Sequence, residues 1–238
     1  MTLYIRLFLL HAVLSPFFFE TFGQTPSTLP FQIFPQALPT GSFRHAVDIS
    51  FGKPPEDLLE EGAYVRIPLA EYECGYSLPF GFSLYGKIST IVVSNHVSVG
   101  ARWNWGIDHW AFSIGYDVAY LFGQLEQYGF NNSVEAWFNY PNVSVGYDFG
   151  KVAVTLRGEL SIITSRSIFT DDIKVGGDKN LLNGGSVALF VEQPLWKNNY
   201  VILGFKAGYL RQWYPTWLAF STFDRKFFVP EFIIGFVL

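Results

Sequence analysis

The sequence predicts an all-β chain folded as an antiparallel up-and-down transmembrane β-barrel, and three observations carry that prediction. Half of the 238 residues are apolar and 19% are aromatic, against only 15% charged, where soluble domains carry about 25%. No internal run reaches the ~20 uninterrupted apolar residues that a membrane helix needs. From Phe43 onward, bulky apolar residues return at every second position, which is the period of a strand with one greasy face.

The N-terminus reads differently. "MTLYIRLFLLHAVLSPFFFETFGQTP" has one positive charge, Arg6, an apolar core from Leu7 to Phe19, and a small-x-small cleavage site at Thr21 and Gly23. That is the form of a secretory signal peptide over 1–23. Residues 24–42, with four prolines in "TPSTLPFQIFPQALPTGS", read as an extended segment, and the barrel is expected over 43–238.

The first strand is "FRHAVDISF" at 43–51. "PPEDLLEEG" follows as an outer loop with one helical turn expected from Asp57 to Glu61. "LAEYECGYS" and "PFGFSLYGKIS", near 69–77 and 79–89, supply two more strands. Seven others follow at 96–105, 109–122, 142–149, 151–163, 186–193, 200–211 and 227–238. The total is ten, or eight if the pair near 69–89 is one irregular excursion. In "HWAFSIGYDVAYLF" the alternation is clearest: Trp110, Phe112, Ile114, Tyr116, Val118, Tyr120 and Phe122 oppose His109, Ala111, Ser113, Gly115, Asp117, Ala119 and Leu121.

Connection lengths alternate too. "GIDH", "GK" and "QPLWKN" are short, whereas Gly123–Tyr140, Thr164–Gly185 and Gln212–Lys226 are long and read as loops. Tight turns at one end and long loops at the other characterise transmembrane barrels, whose strand number is even when both ends of the chain lie on the short-turn side.

The mature chain resembles small Gram-negative outer-membrane β-barrels, and its length, dyad pattern and aromatic content look most like those of the Bacteroidota. "EFIIGFVL" is similar to the C-terminal strand signal read by the barrel assembly machinery, with Leu238 where Phe is usual. The resemblance implies a bacterial outer-membrane location, with outer-membrane lipid and that machinery as partners, and an extracellular ligand or protein at the outer loops.

The opposite face of the strands carries Arg44, Asp48, Glu71, Glu73, Lys87, Arg102, Asp117, Asp148, Arg157, Glu159, Glu192, Lys206 and Glu231. A barrel of eight to ten strands has room inside only for side chains, so these charges are expected to pair across the lumen. Asp117 is assigned a basic partner, Arg102 or Arg157. The network of Arg102, Asp117, Asp148, Arg157, Glu159, Glu192, Lys206 and Glu231 holds the barrel shut in one reading. In another it lines a narrow path for small solutes or lipophiles, with little ion selectivity because both signs are present.

Aromatic residues gather near strand ends, as rings do at membrane interfaces. Trp103, Trp105, Trp110, Tyr147, Phe149, Trp196 and Tyr200 lie by the short turns; Tyr120, Phe122, Phe138, Tyr140, Trp213, Tyr214, Phe227 and Phe228 lie at the other ends.

Other chemistries find little footing. A net charge of −4 with dispersed Lys and Arg argues against nucleic acid. The single Cys74 excludes an intramolecular disulfide and any multi-Cys metal site. No cofactor, metal or catalytic residue is assigned: Asp171, Asp172 and Asp178 lack EF-hand spacing, and "VGGDK" (175–179) and "NGG" (183–185) are read as loop glycines. His96 and Ser98 share a face about 7 Å apart. They are similar to the His-x-Ser of outer-membrane lipid A 3-O-deacylases, but the Asn completing that motif is absent and both residues point inward. The chain is therefore expected to be non-enzymatic, with "FNNSVEAWFNYP" and "QWYPTWLAFSTFDRK" as its contact surfaces.

Overall fold

A computed structural model describes residues 31–55, 66–127, 129–196, 199–217 and 225–238. The expected signal peptide and the helical turn at 57–61 lie outside these residues. Ten strands close into one antiparallel barrel: β1 (Phe43–Gly52), β2 (Ile67–Ser77), β3 (Phe82–Thr90), β4 (Ser94–Ile107), β5 (Trp110–Gln127), β6 (Phe130–Asp148), β7 (Ala153–Thr170), β8 (Ile173–Trp196), β9 (Asn199–Leu210) and β10 (Phe227–Val237). Each pairs with its neighbour in sequence, and β1 closes on β10 with Ala46 opposite Val237 and Asp48 opposite Gly235. The count of ten holds, with β2 and β3 as separate strands joined by the one-turn 3₁₀ segment Pro79–Gly81.

The alternation sorts the side chains as the sequence pattern predicts. Among the described residues, no Asp, Glu, Lys or Arg points outward over 43–51, 68–76, 82–88, 97–107, 110–122, 137–147, 154–162, 187–191, 201–209 and 228–238. Ile49, Ile114, Val143, Leu189, Phe205 and Phe232 are instead about half exposed. A continuous apolar girdle of this extent far exceeds the few hundred Å² that soluble monomers expose.

Strand length departs from expectation. β3 has 9 residues and β8 has 24, or about 30 and 80 Å at ~3.3 Å per residue. Gly123–Tyr140 and Thr164–Gly185, read from sequence as loops, are mostly strand, so "FNNSVEAWFNYP", "VGGDK" and "NGG" lie in the walls of β6 and β8. The hairpin between β7 and β8 turns on Asp171 and Asp172, at φ 48° and 66°. Asp tolerates the left-handed region that tight hairpins require. At the tip of this hairpin both faces meet water, residues 171–175 all being exposed, so the strand loses the greasy–polar alternation by which it is recognised in a sequence. β5–β8 thus form a tall wall on one side of the rim.

Candidate functional site

The lumen is filled in three layers, and small inward residues make each possible. At the short-turn end, the segment before β1 runs into the barrel: Phe31, Gln32, Phe34 and Gln36 are at most 1% exposed. Phe31 packs edge-on against Phe34 and Tyr200, with centroids 5.7 and 5.4 Å apart, amid Ala46, Ala111, Ala153 and Ile202. Gly146 leaves space for Phe34, since a Cβ there would lie 2.5 Å from its ring. Burial of each Phe stabilises the seat by roughly 2–3 kcal/mol.

Polar groups fix the register of this segment. Glu192 accepts the backbone N–H of Gln32 at 2.6 Å, of Phe34 at 2.7 Å, and of Ile33 at 3.1 and 3.2 Å to its two oxygens. Arg44 donates to the carbonyl of Phe31 and, at 3.0 Å, to the hydroxyl of Tyr85. Backbone amides that would otherwise be orphaned inside the barrel are satisfied by a charged acceptor, the stronger kind of hydrogen bond.

The middle layer is ionic. Asp117 accepts from Arg157 at 2.9 Å and from Asn142 at 3.1 Å, and Arg102 stands 3.6 Å away. Arg157 reaches Glu159 at 3.0 Å, and Lys206 lies 3.8 Å from the same carboxylate. Arg102 stacks 3.6 Å over the Tyr85 ring, so Tyr85 joins this network to the lower layer through Arg44. Across the lumen Lys87 bridges Glu71 at 2.9 Å and Glu73 at 3.1 Å. The Asp117 carboxylate lies against Gly100, where a Cβ would come within 1.8 Å of it. The charges border a cavity of about 140 Å³ that also touches Ile33 below and Trp213 above.

The outer layer is apolar again. After β9, residues 212–217 turn into the mouth rather than over it, and Trp213 and Trp217 are 2% and 3% exposed. Trp213 occupies the space above Gly52, where a Cβ would fall 2.1 Å from the indole. Gln212 and Asn183 hold the turn by reciprocal hydrogen bonds of 2.8 and 2.9 Å. Tyr214 stacks on His96 at 4.7 Å, and His96 Nε2 lies 3.1 Å from the Tyr140 hydroxyl. Burial, reinforced by the nearby Glu71 carboxylate, raises the Tyr214 phenol well above its ordinary range, keeping it neutral.

Arg102, Asp117, Arg157, Glu159 and Lys206 meet in one network, and Asp117 engages both proposed partners. Glu231 faces Lys206 across the β9–β10 pair. Asp148 and Glu192 serve otherwise: Asp148 caps a turn through the Gly150 N–H at 2.7 Å, and Glu192 holds the N-terminal segment. Trp103, Trp105, Trp110, Tyr120 and Tyr147 lie on the outward positions, Trp110 meeting Tyr147 at 4.9 Å and Trp103 meeting Trp105 at 4.9 Å. The side chain of Trp196 lies outside the described residues.

Other interface assignments are corrected. Tyr200 and Trp213 are inside, as are Phe138, Tyr140, Tyr214 and Phe227. Tyr200 shares the inward parity of Lys206, and parity, not nearness to a turn, decides the face. Trp213 lies beyond the β9 ladder, where Gly52 admits it. The Trp-rich stretch from Gln212 is thus an inner filling as far as Trp217, not an exposed contact surface. Asp178 pairs with Arg166 at 2.6 Å and accepts from Gln212 at 3.0 Å.

Sequence reasoning missed the inserted segment. Its signal is "FQIFPQ", an apolar stretch between prolines just before β1, matched by unusually small inward residues on β5–β7.

No family model and no curated protein matches the chain. Solved structures similar to it include Neisserial surface protein A, at 14% identity and a TM-score of 0.39, covering 82% of this chain and 96% of that one. Another is the translocator domain of the autotransporter NalP from Neisseria meningitidis, at 10% and 0.43, covering 99% and 98%. A third is outer membrane phospholipase A from Escherichia coli, at 10% and 0.39, covering 90% and 94%. The likeness is one of fold alone.

Proposed function

We propose that this chain is an integral, non-enzymatic β-barrel of a Gram-negative outer membrane, of the kind common in the Bacteroidota. Its filled lumen makes it a rigid, non-conducting platform for the recognition surface of the tall β5–β8 wall. The outward girdle supports the membrane part of this reading, because uncharged, half-exposed aliphatic and aromatic residues around a closed barrel need a hydrocarbon solvent. The observation that carries the rest is the seating of Phe31 and Phe34 in one end of the lumen and Trp213 and Trp217 in the other. A solute path would have to displace both.

The test is conductance in planar bilayers, on protein first shown to float with vesicles and to migrate faster in gels before boiling. The account expects insertion without single-channel steps. Regular steps from the unaltered protein would establish the narrow channel instead.

A further inference from the structure

Tyr116, Asn139 and Thr164 form a hydrogen-bonded polar group on the outward wall at the upper edge of its apolar girdle. Asn139 on β6 accepts from the Tyr116 hydroxyl of β5 at 2.9 Å and donates to the Thr164 hydroxyl of β7. Thr164 is placed there by an irregularity. Trp137 pairs with Ser165 and Phe138 with Ile163, so Thr164 is the extra residue of a β-bulge, a device that re-aims side chains and recurs at functional positions. The three side chains lie below the outward ring pair Tyr120 and Trp137, which meet at 4.8 Å. Asn139 is two residues, about 7 Å along the strand, from Trp137. If such rings mark the headgroup level, the polar group sits where acyl carbonyls begin.

A count of donors defines what it can bind. An amide has two N–H donors and a threonine hydroxyl one O–H. The Asn139 carbonyl is used by Tyr116, and one Asn139 N–H is used by Thr164. The second amide N–H and the Thr164 O–H are left for an outside acceptor, while Tyr116 and Thr164 are both exposed. Donors facing hydrocarbon are costly unless satisfied. Beneath them Pro141, lacking an N–H, and Gly158, lacking a side chain, lower the surface among bulkier neighbours.

We infer that Tyr116, Asn139 and Thr164 form a lipid-binding site on the barrel wall, whose two free donors engage the ester or amide carbonyls of an acylated outer-leaflet lipid while a chain lies over Pro141 and Gly158. The inference rests on the membrane reading above.

The experiment compares full-length protein in vesicles of ester-linked diacylphosphatidylcholine with the same protein in the ether-linked dialkyl analogue, which keeps the chains and lacks the carbonyls. Retained lipid is counted by native mass spectrometry after detergent extraction, for the unaltered chain and for the Asn139→Leu/Thr164→Val variant. Two hydrogen bonds predict a roughly tenfold preference for the ester lipid, abolished in the variant, with folding verified by gel mobility. Equal retention of both lipids, or an ester preference that survives the substitutions, overturns the site. A cross-linked dimer through this wall overturns it too, by assigning the donors to a second copy. Failure to float with either vesicle indicts the membrane reading itself.

Discussion

Glu192 and Phe34 lie 158 residues apart in sequence, yet a carboxylate oxygen of Glu192 accepts the Phe34 backbone N–H at 2.7 Å inside the barrel. Glu192 also holds the amides of Gln32 and Ile33, so one side chain latches the segment that fills the short-turn end. Replacing it with Ala removes every one of these charge-assisted bonds. At ~1.5–3 kcal/mol for a bond to a charged group, with part recovered by water, the seat should weaken by about 2–4 kcal/mol. In a Cys74→Ser background, Gln36→Cys is expected to resist a water-soluble maleimide and to become reactive when Glu192→Ala is added. Unchanged protection would mean that apolar packing and the Arg44 bond to the Phe31 carbonyl hold the segment without Glu192.

Two glycines make room for the two fillings, Gly146 for Phe34 and Gly52 for Trp213. Val at either position should expel its ring. Because the fillings lie in series, Gly146→Val and Gly52→Val should each remain silent in planar bilayers, and only the double variant should conduct. Conductance from one substitution would show that a single layer seals the barrel.

Asp117 neutralises Arg157 at 2.9 Å and has Arg102 at 3.6 Å. Asp117→Leu takes its carboxylate from Arg102 and leaves Arg157 with Glu159 alone; it should cost about 3–5 kcal/mol in urea unfolding from vesicles, a smaller loss being expected for Asp117/Arg157→Leu/Leu. A double variant as unstable as the sum of the singles would remove the pair from the account.

His96 stacks on Tyr214 and faces Tyr140, which is a packing role. His96→Ala should lower stability by about 1 kcal/mol through the lost ring contact and leave the lipid A profile of expressing cells unchanged. A changed profile would revive the His-x-Ser resemblance.

The wall is legible in the sequence because ten strands keep one face apolar at every second residue, the parity that the proposed hydrocarbon solvent would impose. The same parity placed Asp117 beside Arg102 and Arg157. It also fixed Tyr200 inside, although its nearness to a turn suggested an interfacial ring. Two features escaped for physical reasons. The tip of the β7–β8 hairpin meets water on both faces, residues 171–175 all being exposed, and shows no alternation of burial. The segment around Phe31 and Phe34 is short and finds its partners on β1, β5, β6, β8 and β9 only after the barrel closes, so its apolar stretch between prolines does not by itself specify where it seats.

The most direct test is a spin-label scan along β5 from Phe112 to Leu121 in a Cys74→Ser background, reading accessibility to oxygen and to a water-soluble nickel chelate in vesicles. The account predicts a period of two: labels at Phe112, Ile114, Tyr116, Val118 and Tyr120 accessible to oxygen, and labels at Ser113, Gly115, Asp117, Ala119 and Leu121 shielded from both reagents. Nickel reaching the inward set would contradict the filled lumen, and nickel reaching the outward set would contradict the membrane itself.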